Sequence, residues 1–236
     1  LALSENNSYA GGTQFNSGTL GLQNNNALGT GGLTTGAASS TVLTLDYSNG
    51  VNIGNSIDNH TTTNALVLNV NSGAATQSGV ISNSGGITKT GAGDLVLTNA
   101  NTYAGGTNLN EGILSVTNNG ALGSGAVTVT GTDSKTLDYG DGVNIANSIV
   151  LQDSDLNLNT GGAGTATQTG SISGAHGITK IGTGTVILNN TDTYSGDTNV
   201  NAGTLQNDGE LTQSDVYANL SGTVKNYGII DKDAYA

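Results

Sequence analysis

The chain has 236 residues, with 38 glycines, a single phenylalanine (Phe15) and no proline, cysteine, methionine or tryptophan. Hydrophobic residues make up 34% and charged residues 9%, too few apolar groups for a thick core and too few charges for the charge-rich disordered class. The basic residues are five lysines, Lys89, Lys135, Lys180, Lys225 and Lys232, against 17 acids; the net charge of −12 excludes a nucleic-acid binder, and zero cysteine excludes a disulfide scaffold or thiolate metal site.

No stretch approaches the roughly 18 apolar residues of a membrane span, so no membrane insertion is expected of this segment. The opening "LALSENNSYAGG" has neither the basic region nor the long apolar core of an export signal. It begins without Met and inside a repeat, so the chain reads as an excised fragment that lacks its signal.

In chain order, the first unit opens with "LALSENNSYAGGTQFNSGTLGL" at Leu1 and returns as "LVLTNANTYAGGTNLNEGILSV" at Leu95 and "VILNNTDTYSGDTNVNAGTL" at Val186. The tyrosines Tyr9, Tyr103 and Tyr194 stand 94 and 91 residues apart. Next comes "TLDYSNGVNIGNSI" from Thr44, matched 92 residues later by "TLDYGDGVNIANSI" from Thr136. "ATQSGVISNSGGITKTGAGD" from Ala75 then matches "ATQTGSISGAHGITKIGTGT" from Ala166. The long units run 1–94 and 95–185, with a partial third at 186–205; 206–236 is expected to add further rungs, all in one β-helical fragment.

Inside each unit, apolar residues alternate over short runs: Leu95/Leu97, Leu109, Leu114/Val116, Val127/Val129, Leu137/Tyr139, Val143/Ile145 and Leu156/Leu158. That period of two predicts strands with one buried face. Asn-Gly, Gly-Ser-Gly and Asp-Gly between them predict turns, and no window has helical spacing. "GTLQNDGEL" at 203–211 aligns with "GTVKNYGII" at 222–230 at a shift of 19, about one coil of a parallel β-helix. At about 21 residues per coil and about 4.8 Å per layer the chain holds roughly eleven coils. The absence of proline fits a backbone paired above and below.

The glycines of "GAGD" invite comparison with a phosphate loop, but Gly91 and Gly93 are followed by Asp94-Leu95-Val96, without the third glycine or the helix that such a loop needs. The stretch resembles instead the passenger-associated transport repeat of bacterial autotransporters. Ile87, Thr88, Lys89, Gly91, Gly93, Leu95, Leu97, Asn101, Thr102, Tyr103, Gly105, Gly106, Thr107, Gly112 and Leu114 fill its pattern. Ile178, Thr179, Lys180, Gly182, Gly184, Val186, Leu188, Thr193, Tyr194, Gly196, Thr198, Gly203 and Leu205 fill it again, departing at Asp192 and Asp197, where Asn and Gly are usual. The resemblance implies a right-handed parallel β-helix, exported through an outer-membrane β-barrel C-terminal to this segment, and a part in folding the passenger outside the cell. Family members include adhesins, self-associating aggregation factors and stalks that carry an enzyme.

Because parallel β-helices also host polysaccharide lyases and hydrolases, Asp138 with Asp141 and Asp153 with Asp155 are the candidate carboxylate pairs. Asp138 has a copy at Asp46, which points to a structural turn or ladder, and Asp141 is replaced by Asn49 in the other unit. A lyase would need Arg or Lys; arginine is absent, and Lys89 and Lys180 are repeat positions. His176 in "GAHG" stands where the previous unit has Gly85 and reads as an exposed loop residue; His60 has no partner in sequence. "GAGDL" at 91–95 faintly resembles a calcium roll, but its equivalent carries Thr185 in place of Asp94. No catalytic, cofactor-binding or metal residue is therefore expected, with weak calcium at acidic loops left open.

The expected function is that of an extracellular segment of an autotransporter adhesin at the bacterial surface, serving adhesion, cell–cell aggregation or biofilm formation. Its expected partners are other copies of itself or host and matrix ligands. The alternative is a passive stalk that displays a distal effector domain, and a polysaccharide-active enzyme ranks behind both.

Overall fold

The computed structural model describes residues 1–36, 42–61, 66–232 and 234–235. Regular structure among them is all β: short parallel strands stacked as a solenoid of about eleven turns, as the alternation predicts. The rungs expected over 206–236 include positions 233 and 236, which lie outside the described residues. By contacts the chain forms two compact units, residues 1–114 with 120–125, and residues 115–119 with 126–236.

In the first unit one stack runs through Ala2–Leu3, Gly18–Leu22, Leu43–Tyr47, Leu66–Asn69, Ile87–Thr90 and Thr107–Leu109. A second runs through Thr13–Phe15, Leu33–Thr35, Ile57–Asp58 and Ile81–Ser82, and a third includes Asn52–Ile53, Ala74–Gln77 and Asp94–Leu97. Ala2 pairs with Gly21 and Gly18 with Leu43, so coils vary from 19 to 25 residues while the strands stay aligned. Length differences are absorbed in the turns.

The second unit repeats the plan with Val127–Val129, Ile149–Leu151 and Ile172–Gly174 on one face. Lys135–Tyr139, Leu156–Thr160 and Ile178–Ile181 stack on another and meet the first half of Thr198–Asn207, whose second half pairs with Thr185–Leu188. Gly203 lies opposite Gly222 and Leu211 opposite Ile230, the 19-residue rung read from the sequence.

The core is thin and columnar. Leu43, Leu66 and Ile87 lie in register and are fully buried, and so are Leu45 and Leu68. Each such side chain contributes about 1.5–3 kcal/mol when wholly removed from water. Lys89 occupies the next place in the Leu45–Leu68 column, with Leu109 on its other side, and Lys180 lies between Leu158 and Val200.

Two polar motifs find their physical reason inside this core. Tyr47 donates to Gln77 at 2.8 Å and Tyr139 to Gln168 at 3.0 Å; each glutamine amide donates onward to two turn carbonyls. "TLDY" and "ATQ" thus recur together because each tyrosine needs its glutamine. Four residues separate Tyr103 from Thr107 and Tyr194 from Thr198, whose hydroxyls meet at 2.6 Å in both repeats.

Among the described residues one buried side-chain group lacks a partner: the Thr160 hydroxyl, at the place where the first repeat has Val70. An unpaired hydroxyl costs about 1–3 kcal/mol to bury, and Val has the same shape without it. Thr160→Val is expected to raise stability by about 1 kcal/mol. Urea unfolding is the check, and a destabilised variant would show that the hydroxyl has a bonding role.

Candidate functional site

The lysines and tyrosines of the second and third repeats point inward, whereas Tyr9 of the first is 40% exposed. Lys89, Lys135 and Lys180 are fully buried, so three of the five lysines contribute nothing to the exposed surface. Lys89 Nζ donates to the carbonyls of Thr90 at 2.8 Å, Gly91 at 2.7 Å and Glu111 at 3.2 Å. Lys180 Nζ donates to those of Ile181, Gly182 and Ala202. Lys135 Nζ holds the carbonyls of Gly131 and Asp133 and the hydroxyl of Ser154. Burial pulls both Lys89 and Lys180 down to about 8, with Glu111 and Asp94 opposing the shift at Lys89. At neutral pH both remain mostly ammonium ions that clasp turn carbonyls.

The candidate carboxylates serve rungs and turns. Asp46 accepts from Asn69 at 2.7 Å and Asp138 from Asn159 at 2.7 Å, the same bond in both repeats. Asp141 accepts from the Thr165 amide at 2.9 Å, as Asn49 accepts from that of Ala74 at 3.0 Å. Either residue type can do this because only the side-chain oxygen is used. Asp153 accepts from the Gly131 amide at 3.2 Å. Asp94, the carboxylate of "GAGDL", lies half-buried in Asp94–Leu97, with Thr185 at the equivalent place in Thr185–Leu188. Among the described residues no three His, Cys, Asp or Glu side chains are grouped to hold a metal.

The histidines differ from their sequence reading. His60 has a partner, with Nε2 3.0 Å from Asp58 Oδ2, and the Asn83 amide contacts both side chains. Asn83, then His60, hold the Asp58 carboxyl below its usual range. Asn83 itself sits at φ +83°, a turn geometry that asparagine tolerates. His176 Nδ1 lies 3.8 Å from Asp155, whose other tie is to the Gly177 amide at 2.7 Å. Sequence reasoning missed both pairs: one joins residues two apart at the end of the strand Ile57–Asp58, the other residues 21 apart that only coil stacking brings together.

His176 and Asp155 share an open recess of about 470 Å³ with Asp133, Ser134, Ser154 and Asn157. A second recess, about 580 Å³, lies in the first unit over glycines 29, 31, 32 and 54, with Asn25, Asn55, Ser78 and Asn99 on its walls. In the second repeat, Gly32, Gly54 and Ser78 are matched by Ala126, Ala146 and Thr169, each a methyl group larger. Both recesses offer amides, hydroxyls and backbone groups, suited to hydrogen bonding with a polar surface.

Parallel coils with this buried Lys–Tyr–Thr hardware define a β-solenoid built on one long repeat. The family model described as passenger-associated-transport-repeat matches residues 1–22, 87–116 and 178–206. The chain is also similar to a protein described as "Adhesin BmaC autotransporter" from Brucella suis biovar 1 (strain 1330), 33% identical over 142 residues. That match covers 56% of this chain and 4% of the relative, so the chain spans only a small part of the relative's length. Repeat and relative together support an autotransporter passenger segment.

Proposed function

We propose that this chain is an extracellular segment of an autotransporter adhesin. It contributes to adhesion, cell–cell aggregation or biofilm formation through the sides of its β-helical coils. The observation that carries this is the threefold transport repeat together with similarity to a protein described as an adhesin. The role is non-enzymatic: Asp138, Asp141 and Asp153 are each tied to a neighbouring rung. In the full-length protein an outer-membrane barrel follows C-terminally and displays the segment on the bacterial surface. Repeated amides and hydroxyls on the coil sides give many weak contacts that sum by multivalency.

A second reading is favoured by the burial of the repeat's own side chains, Lys89, Tyr103, Lys180 and Tyr194. The repeat then serves as scaffold, and the segment is a stalk that displays a distal domain.

Self-association separates the two. At −12, copies repel one another over about 8 Å at physiological salt. Acid removes that charge, and salt or weakly bound calcium screens it. Analytical ultracentrifugation is expected to show association that strengthens from pH 7.5 to pH 5, and with salt or calcium at neutral pH. A strict monomer under every condition removes self-recognition from this segment and leaves the stalk or host-ligand reading in place.

A further inference from the structure

Asp192 is the place where the third repeat breaks the pattern, and the geometry of Asn101 shows what is broken. Asn101 uses both ends of its amide: Oδ1 accepts from the Ile81 amide at 2.8 Å and Nδ2 donates to the Ala121 carbonyl at 2.6 Å. It thereby ties one coil to the coil before and the coil after. Asp192 keeps the first bond, accepting from the Ile172 amide at 2.6 Å. It is 2% exposed, on the strand Thr191–Asp192, which lies beside Glu210–Leu211. An ionised carboxylate has no hydrogen for the second bond, whereas the neutral acid has one.

We propose that Asp192 is a proton-operated lock on the third repeat, holding the Thr191–Asp192 rung as Asn101 holds its own when protonated and loosening it when ionised. Among the described residues no counter-charge faces it. The ionisable groups facing it are the phenols of Tyr139, from Lys135–Tyr139, and Tyr194, from the turn that follows Asp192; burial pushes both up, so they stay neutral. Glu210 on the next rung is engaged outside, where its carboxylate accepts from the Thr191 hydroxyl at 3.3 Å. Burial raises the Asp192 carboxyl to about 7, with the Ile172 amide opposing.

The folded value lies above that of the unfolded chain, so the folded state binds the extra proton. This carboxyl's contribution is therefore most favourable at acid pH, declines as pH rises from about 4 to about 7, and is flat above. The lock closes in mildly acidic surroundings and opens at and above neutrality.

Amide hydrogen exchange on the full chain, corrected for the intrinsic effect of pH, tests it at Ile172. In the wild type, protection is expected to fall at least about tenfold more between pH 5 and pH 8 than in Asp192→Asn. Asn101→Asp should transfer the same loss to the amide of Ile81, and this second arm decides the matter if the first variant folds poorly. Parallel pH profiles for wild type and Asp192→Asn would overturn the proposal. So would an Asn101→Asp chain whose Ile81 protection acquires no new pH dependence.

Discussion

Lys89→Met is expected to lower stability by about 3–5 kcal/mol, because three carbonyls lose their charged donor, that of Gly91 in a buried bond and those of Thr90 and Glu111 in partly buried ones. The oxygens of Thr90, Gly91 and Glu111 converge on one ammonium group and are held in place by their turns. Methionine refills the column between Leu68 and Leu109, so packing is kept and the loss reports the hydrogen bonds. The desolvation that lowers the Lys89 amine to about 8 offsets part of their gain at pH 7. Since the folded value lies below the unfolded one, that penalty is relieved as pH rises from about 8 towards 10.5. Urea unfolding at pH 7 provides the measurement, with Lys225→Met, at an exposed position, as control. A loss under about 1 kcal/mol would mean that the carbonyls find water and that Lys89 is dispensable.

Gly112→Ala is expected to cost about 3 kcal/mol or more, for two separable reasons. Gly112 has φ +72°, which costs a residue with a Cβ about 1–2 kcal/mol. An added Cβ would also lie 2.3 Å from the Gly91 carbonyl oxygen and 2.8 Å from that of Gly93, so the coils must part. Gly203, at the same place in the third repeat, has φ +66° and would put its Cβ 2.4 Å from the Gly184 oxygen. Gly50→Ala separates the terms, since Gly50 has φ +80° with nothing within 4 Å of an added Cβ. Thermal melts of both variants should place Gly112→Ala well below Gly50→Ala. Equal losses would show that backbone conformation alone matters and that the coils can spread freely.

The fold was legible because its two signals are local or repetitive. Alternation marked the strands at Leu95/Leu97, Val127/Val129 and Leu156/Leu158, and the shift of 19 between "GTLQNDGEL" and "GTVKNYGII" became the observed pairing. The interior chemistry was not legible in the same way. A lysine within alternating residues looks like a polar face; only stacking shows that Lys89 continues a leucine column and reaches carbonyls at a corner. Asp192 was noticed as a departure, but its meaning required the two bonds of Asn101. Duplication at Asp46 and Asp138 pointed to a ladder, and both make the same bond to an asparagine of the next rung, whereas the His176–Asp155 pair, which joins residues on different coils, left no trace in local sequence.

The short spacing between stacked neighbours also bears on how such a chain acquires its structure. Paired strand partners one layer apart are separated by 18 to 25 residues, as Thr198 with Val216 and Gly18 with Leu43 show. The entropy of closing each contact is then set by one short segment and does not grow with the length of the polypeptide. A completed coil presents a ready edge for the next, so ordering can advance along the backbone from either end. A chain delivered gradually, end first, can be captured layer by layer, with no need to wait for a distant portion to arrive.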